Sequence, residues 1–199
     1  MRLQDGYTDI PQGKIAAVVT HLEMNEPAPL RQETALEDVG LRIVTAPTTS
    51  WYKAIFRHVG AEDWLWFSRL QLEDAELEAI IQNPKVEVYA LTFRGLDDGL
   101  LELDFRIDGL CELAFFGVSK NLIGCGAGRF LMNRAIERAW LHDIERFHVH
   151  TCTLDHPAAL GFYIRSGFCP VRQQIEVAND PRITGLLPET AAPHVPIFR

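Results

Sequence analysis

Along residues 127–141 the apolar and polar positions separate at helical spacing. Met132, Ile136 and Trp140 stand on one side with Leu131, Ala135 and Ala139 beside them, while Arg129, Asn133, Glu137 and Arg138 take the other. Upstream the pattern changes to short apolar runs and alternation. VEVYALTF (86–93), LLELDFRI (100–107) and LCELAFFGV (110–118) read as a three-stranded meander. Its turns are predicted at Leu96–Gly99 and at Asp108-Gly109, where aspartate and glycine suit a tight reversal. Further strands are predicted over 15–22 (IAAVVTHL), 41–45 (LRIVT), 147–154 (FHVHTCTL) and from Phe168 to about Val177.

Pro47 and the cluster Thr48, Thr49, Ser50 signal the start of a helix over about 51–58. One or two helical pieces follow within 61–82, where Glu73, Asp74 and Glu76 suit a first turn. Another helix is predicted from Pro157 to Ser166, and from Ala178 onward the chain reads as an irregular tail containing four prolines. This order predicts an α+β fold: one mixed sheet with helices packed on it, in a single domain spanning 1–199.

With 199 residues, 47% hydrophobic and 23% charged, the chain has the size and make-up of one globular core. Its net charge of -8 and lack of a basic block argue against a nucleic-acid partner. The four cysteines (Cys111, Cys125, Cys152, Cys169) form no C-x-x-C pair, which predicts free thiols in a reducing cytoplasm. The opening MRLQDGYTDIPQGK has no apolar signal region, and no run approaches membrane-spanning length. A soluble, cytoplasmic protein with no membrane partner is therefore expected.

The stretch IGCGAGR (123–129) places three glycines at the mouth of the 127–141 helix. A phosphate loop needs a Lys and a Ser or Thr after its last glycine, and here Arg129 and Phe130 follow. A dinucleotide fingerprint is spaced G-x-G-x-x-G directly after a strand; here the spacing is G-x-G-x-G, and Ser119 to Ile123 intervene. What remains is either close helix packing or a cradle of helix-start amides for another phosphate, with Arg129 in the first turn.

VSKNLIGCGAGRFLM (118–132) resembles the coenzyme-A motif of the GNAT N-acetyltransferases, V-x-x-x-x-[Q/R]-G-x-G-x-[G/A]-x-x-L, matching at Val118, Gly124, Gly126, Gly128 and Leu131. TLDHPAALGFYIRSGF (153–168) resembles the second signature, N-x-x-A-x-x-x-Y-x-x-x-G-F, matching at Ala159, Tyr163, Gly167 and Phe168. The resemblance covers about 41–177 and leaves an N-terminal strand extension (1–40) and a C-terminal tail (178–199) outside. Two positions depart from the pattern. Ile123 stands where the family has Gln or Arg, and His156 stands at the asparagine, where it either contacts the cofactor or caps the helix.

The resemblance implies a mostly antiparallel twisted sheet whose central parallel strands, 110–118 and 147–154, splay apart around acetyl-CoA. Phe116, Gly117 and Val118 would pair with the pantetheine arm. Gly124, Cys125, Gly126, Ala127, Gly128 and Arg129 would hold the pyrophosphate, with His156 nearby. It implies direct acetyl transfer to a primary amine within a ternary complex, without a metal cofactor, and Tyr163 as the proton donor. The acceptor is expected to be a small-molecule amine or a peptide amine, and the working unit a monomer or homodimer. Alternatives are a protein lysine or N-terminal acetyltransferase and a non-catalytic acyl-CoA-binding module.

For the base, Glu112 is the candidate. A turn centred on Asp108-Gly109 puts it opposite Phe105, on one face with Leu101, Leu103, Ala114 and Phe116, where apolar neighbours raise a carboxylate pKa. A one-residue slip would move it to the other face, where Glu102 and Asp104 alternate. His148, His150 and Cys152 alternate on one strand, a spacing that rarely converges on an ion. His150 reads either as a pocket acid or base or as a satisfied interior histidine. Trp51, Trp64 and Trp66, with Tyr52, Phe56 and Phe67, are either an aromatic wall for the acceptor amine or helix-to-sheet core.

Overall fold

The computed structural model describes residues 5–199; residues 1–4 of the predicted N-terminal extension lie outside the described residues. The strands are β1 (Lys14–Met24), β2 (Val39–Ile43), β3 (Val86–Phe93), β4 (Leu96–Asp104), β5 (Leu110–Val118), β6 (Arg146–Cys152) and β7 (Cys169–Asn179). They form one 7-stranded sheet in the order β2-β3-β4-β5-β6-β1-β7. Each neighbouring pair is antiparallel except β5–β6, which is parallel.

Helix α1 (Thr49–Phe56) is capped by Thr48, whose hydroxyl accepts from the Trp51 amide at 3.2 Å. It runs through a π turn (Arg57–Ala61) into the single turn α2 (Glu62–Trp64), and Leu65 ends it in the left-handed region at φ 53. In α3 (Asp74–Ile81) the Glu76 carboxylate accepts from the Glu73 amide at 3.1 Å, one arm of a capping box. Helices α4 (Ala127–Ala139) and α5 (Ala159–Arg165) pack on one face of the sheet over Leu22, Leu101, Leu113, Phe147 and Phe168. Helices α1 and α3 cover the other face over Val88 and Leu100.

Both chain ends do more than the sequence suggests. The strand expected to extend the domain is instead an interior strand, with β6 on one side and β7 on the other. Its side chains are accordingly buried on both faces: Ile15, Ala17 and Val19 on one, Thr20, Leu22 and Met24 on the other. The tail after β7 has no regular structure but is firmly held. Asp180 and Arg182 pair at 2.7 Å with side chains 1% exposed, and Arg182 also donates to the carbonyls of Ala191 (3.2 Å) and Val195 (2.8 Å). Leu187, Ala191 and Ala192 join the core on the α1–α3 side.

One turn and one strand register differ from expectation. The β3–β4 reversal is at Arg94-Gly95, both left-handed (φ 51 and 80), which matches the twist of a two-residue hairpin. Asp97 and Asp98 lie in β4 instead, where Asp97 accepts from Arg42 and Trp51 and Asp98 meets His58. Between β4 and β5 the register runs Gly99↔Val118 to Glu102↔Phe115, then shifts so that Leu103 faces Leu113 and Asp104 faces Glu112. Ala114 is the extra residue of a bulge. Glu112 is thereby opposite Asp104, not Phe105, and on the face of Glu102 and Asp104, not that of Phe116.

On that face a buried polar network ties the helical layer to the sheet. Glu102 is fully buried; it accepts from the Tyr52 hydroxyl on one oxygen and from Arg69 Nη2 at 2.5 Å on the other. The Arg69 guanidinium also lies 5.0 Å over the Phe115 ring.

Removing one member of the Asp180–Arg182 pair leaves an uncompensated buried charge. Arg182→Ala should therefore cost about 3–5 kcal/mol in equilibrium urea unfolding. Burial pushes the Asp180 carboxyl up, but hydrogen bonds from Arg182 outweigh it and hold it below its ordinary value. The pair's contribution should be complete above the ordinary carboxylate range, and it should be lost as the pH falls through the lowered value. An unchanged urea midpoint would show that the tail is not held by this pair.

Candidate functional site

Strands β5 and β6 pair over only three rungs, Leu110–Arg146, Cys111–Phe147 and Glu112–His148. At the Ala114 bulge β5 bends away, and a cleft of about 610 Å³ opens between the two strands. Phe116, Gly117 and Val118 form one wall; Val149, His150 and the start of α5 form the other; Trp64 and Trp66 roof it. The expected splay is thus present, and it begins one rung beyond Glu112.

The glycine turn closes one end. Gly124 (φ 84) and Gly126 (φ 103) take left-handed backbone that L side chains rarely adopt. Gly126 is the N-cap of α4, so no side chain caps the first-turn amides of that helix. A Cβ on Gly124 would meet nothing within 4 Å, and one on Gly128 would only touch Phe162 at 3.9 Å. The side chains of Cys125 and Ala127 do not line the cleft: Ala127 is buried in the core, and the Cys125 thiol donates to the Leu122 carbonyl at 3.1 Å. Ile123 is 44% exposed at the cleft edge.

Arg129 donates from Nη1 to the Gln32 carbonyl at 2.9 Å, while its Nε is buried with no partner. Asn133, on the predicted polar side of α4, is only 2% exposed, because the β1–β2 loop covers it. Its amide grips that loop from both sides, accepting from Arg31 N at 3.2 Å and donating to Arg31 O at 2.7 Å. The clamp holds Arg31 beside the glycine turn, where its side chain lines the cleft. Nothing local in the sequence marks Arg31, since the β1–β2 loop carries it there from far away in the chain.

A second part of the lining is acidic and aromatic. Asp155 anchors it: Oδ2 accepts from the Thr151 hydroxyl (2.7 Å) and the Cys152 amide (2.9 Å), and Oδ1 accepts from Trp66 Nε1 (3.0 Å). Glu176 of β7 reaches the cleft as well. Trp64 meets His156 edge-on at 4.9 Å and lies 5.8 Å from His194 of the C-terminal segment. His156 Nδ1 accepts from the Ala158 amide at 3.0 Å in the turn before α5, a contact that caps no amide of the helix itself, and its ring also lines the cleft. Trp51 lies elsewhere: its indole donates to Asp97 at 2.8 Å under the Arg42 guanidinium, far from this group. Tyr52 and Phe56 are core.

Tyr163 lines the cleft at 7% exposure, edge-on to Phe116, Phe162 and Phe168. Burial, reinforced by Asp155, raises its phenol well above the usual range, so it stays protonated. Glu112 does not line the cleft. Its Oε1 lies 3.6 Å from His150 Nδ1, and His150 does line it. Contact with His150 outweighs burial and holds the Glu112 carboxyl below its ordinary value, the reverse of the rise expected among apolar neighbours. The same contact raises the His150 imidazole. Burial lowers His148 and pushes the Cys152 thiol up to about 11. Among the described residues no cluster of three or more His, Cys, Asp or Glu is arranged to hold a metal, and no helix is long and apolar enough to cross a membrane.

A family model described as the acetyltransferase (GNAT) family matches residues 62–168. Among solved structures, a GCN5-related N-acetyltransferase from Sphaerobacter thermophilus is similar at 13% identity and a TM-score of 0.58, over 82% of this chain and 51% of its own. A tandem GNAT protein from the clavulanic acid biosynthesis pathway aligns at 14% identity and a TM-score of 0.59, over 87% of this chain and 55% of its own. An aminoglycoside acetyltransferase from an uncultured soil metagenomic sample, in complex with sisomicin, aligns at 15% identity and a TM-score of 0.52, over 65% and 87%. The chain spans about half the length of the first two. No curated protein matches its sequence.

The cleft wall leaves no room at Gly117, where a Cβ would stand 2.5 Å from Val59 Cγ1 and 3.0 Å from the Trp66 ring. Gly117→Ala should push Trp66 off Asp155 and cost about 1–3 kcal/mol on urea unfolding. A variant as stable as the parent would mean that the roof yields freely.

Proposed function

Since the chain belongs to the GNAT acetyltransferase family, we propose that it transfers an acetyl group from acetyl-CoA directly to a primary amine of a small molecule. The observation that carries this reading is one cleft, at the parting of β5 and β6, with uncapped amides at one end and a buried, protonated tyrosine in its wall.

Features of the glycine end fit the coenzyme. The first-turn amides of α4 have no cap, the space over Gly124 is open, and the buried Arg129 Nε has no partner. Amides at a helix start attract phosphate through hydrogen bonds and the helix dipole. Arg31 adds a guanidinium where Ile123 has none to offer. Phe116, Gly117 and Val118 present β5 backbone that has left β6 and is available to an extended arm.

Bound acetyl-CoA supplies the thioester; the chain supplies position and protons. A β5 amide beside the thioester carbonyl would stabilise the growing oxyanion, an effect of about 3 kcal/mol. Tyr163, protonated and facing the cleft, would give its proton to the departing thiolate. Asp155, Glu176, Trp64 and Trp66 favour a cationic amine over a neutral or anionic one. The aminoglycoside acetyltransferase of like fold takes an acceptor of that chemistry. The roof of Trp64, Trp66 and the C-terminal segment favours a small molecule over a protein chain.

The test is acetyl-CoA-dependent thiol release with spermidine, tyramine, sisomicin and glycinamide. At least one amine should raise release above hydrolysis; CoA binding without any such rise would leave an acyl-CoA-binding module. Tyr163→Phe should lower turnover by about 10²-fold with CoA affinity unchanged. Gly128→Val places its side chain in open cleft, so it should weaken CoA binding while stability holds. Arg31→Ala should weaken CoA binding by about tenfold but leave acetyl-pantetheine, which lacks the pyrophosphate and nucleotide, unaffected. Equal losses with both ligands would remove Arg31 from the phosphate site.

A further inference from the structure

We propose that His150 is the catalytic residue that takes the proton from the attacking amine, and that Glu112 is the positioning residue that turns its imidazole toward the cleft. This inference rests on the acetyl-transfer reading. Three structural observations support it. His150 lines the cleft and Glu112 does not. Glu112 occupies the last β5–β6 rung, and His150 stands two residues further along β6 on the same face, where its Nδ1 lies 3.6 Å from Glu112 Oε1. The Ala114 bulge brings Glu112 to that face, so the pair exists because the cleft exists.

An imidazole that directs its Nδ1 hydrogen at a carboxylate keeps a lone pair on Nε2. That nitrogen is then the basic atom left for substrate. The cationic amine first loses one proton to water as it binds; as the neutral nitrogen then bonds to the acetyl carbon, a second proton passes from it to Nε2. The carbon–sulfur bond breaks, its electron pair leaves on sulfur, and the Tyr163 hydroxyl protonates the thiolate. Proton exchange with water then restores both side chains, so no further reactant is needed.

Other charged and titratable groups surround His150. His148 and Asp155 belong to its own strand and the turn after it, and Glu112 faces it from β5. His21 of β1 lies with its ring 5.7 Å away and in turn faces Arg172 of β7, while Glu176 of β7 raises the imidazole further. Asp155 is committed on both oxygens to Thr151, Cys152 and Trp66, and burial raises the Cys152 thiol, which leaves Glu176 and His156 as the competing bases in the cleft, to be separated by Glu176→Gln and His156→Gln.

The sign follows from the pair. The active form is neutral His150, so turnover should rise with pH through a value above that of a free histidine. Glu112→Gln should lower that value and move the acid limb of the pH–rate profile to lower pH, whereas a merely structural role would lower the rate without moving the limb. His150→Gln should abolish the limb and reduce kcat by about 10²-fold with CoA binding retained. Glu176→Gln and His156→Gln should each keep the limb. NMR titration of the imidazole in the free protein needs no acceptor: His150 should titrate above the ordinary histidine value in the parent and lower in Glu112→Gln. A limb that survives His150→Gln, or that disappears in Glu176→Gln or His156→Gln, overturns the proposal. So does a His150 titration that ignores Glu112. If no amine is acetylated by the parent, the acetyl-transfer reading fails, and catalysis by His150 fails with it.

Discussion

The site depends on β5 and β6 parting after three rungs. Parallel strands side by side would satisfy one another's amides and carbonyls and leave no room between them. Here β5 stays bonded to β4 and β6 stays bonded to β1, so each remains anchored on its outer side while the inner sides separate. The single extra residue at Ala114 gives β5 the bend that separation needs. It also turns Glu112 to the face where His150 stands. One inserted residue therefore makes both the opening and the polar pair at its base.

The cleft that results is lined by both signs of charge: Arg31, Arg129, Arg165 and the start of α4 on the positive side, Asp155 and Glu176 on the negative. Burial among aromatic rings, reinforced by Asp155, raises the Tyr163 phenol still further above its ordinary value. The buried Tyr52–Glu102–Arg69 network secures the roof from beneath, by fastening α1 and the loop after α2 to β4.

Much of this was legible in the sequence, for reasons that are local. Strand β3 matches its run of apolar residues end to end, and the helical stripe of α4 follows from spacing alone. Trp64, Trp66 and Tyr163 line the cleft, whereas the aromatic pattern by itself leaves wall and core open. Other features depended on information outside any short window. The bulge at Ala114 has no marker in LCELAFF, yet it reverses the face of Glu112. The β3–β4 turn went to Arg94-Gly95 because Asp97 and Asp98 have partners on α1, β2 and the π turn, which a turn rule cannot see. Asn133 looks solvent-facing until the β1–β2 loop is laid over it, and Arg31 reaches the cleft only through that loop.

The placement of β1 has a consequence for how the molecule comes into being. Its hydrogen bonds run to residues far along the chain: the Val18 amide reaches the Thr153 hydroxyl across a sequence separation of 135. During synthesis β1 emerges before either of its partners, and its apolar faces must wait until residues 146–179 are made. Loop closure over such a distance is slow and leaves a strand edge uncovered in the interval. The half of the sheet that holds His150 and Glu176 is therefore the last to close. Newly made chains should depend on chaperones for that interval, and the competence of the site should appear only when the final strand has joined the first.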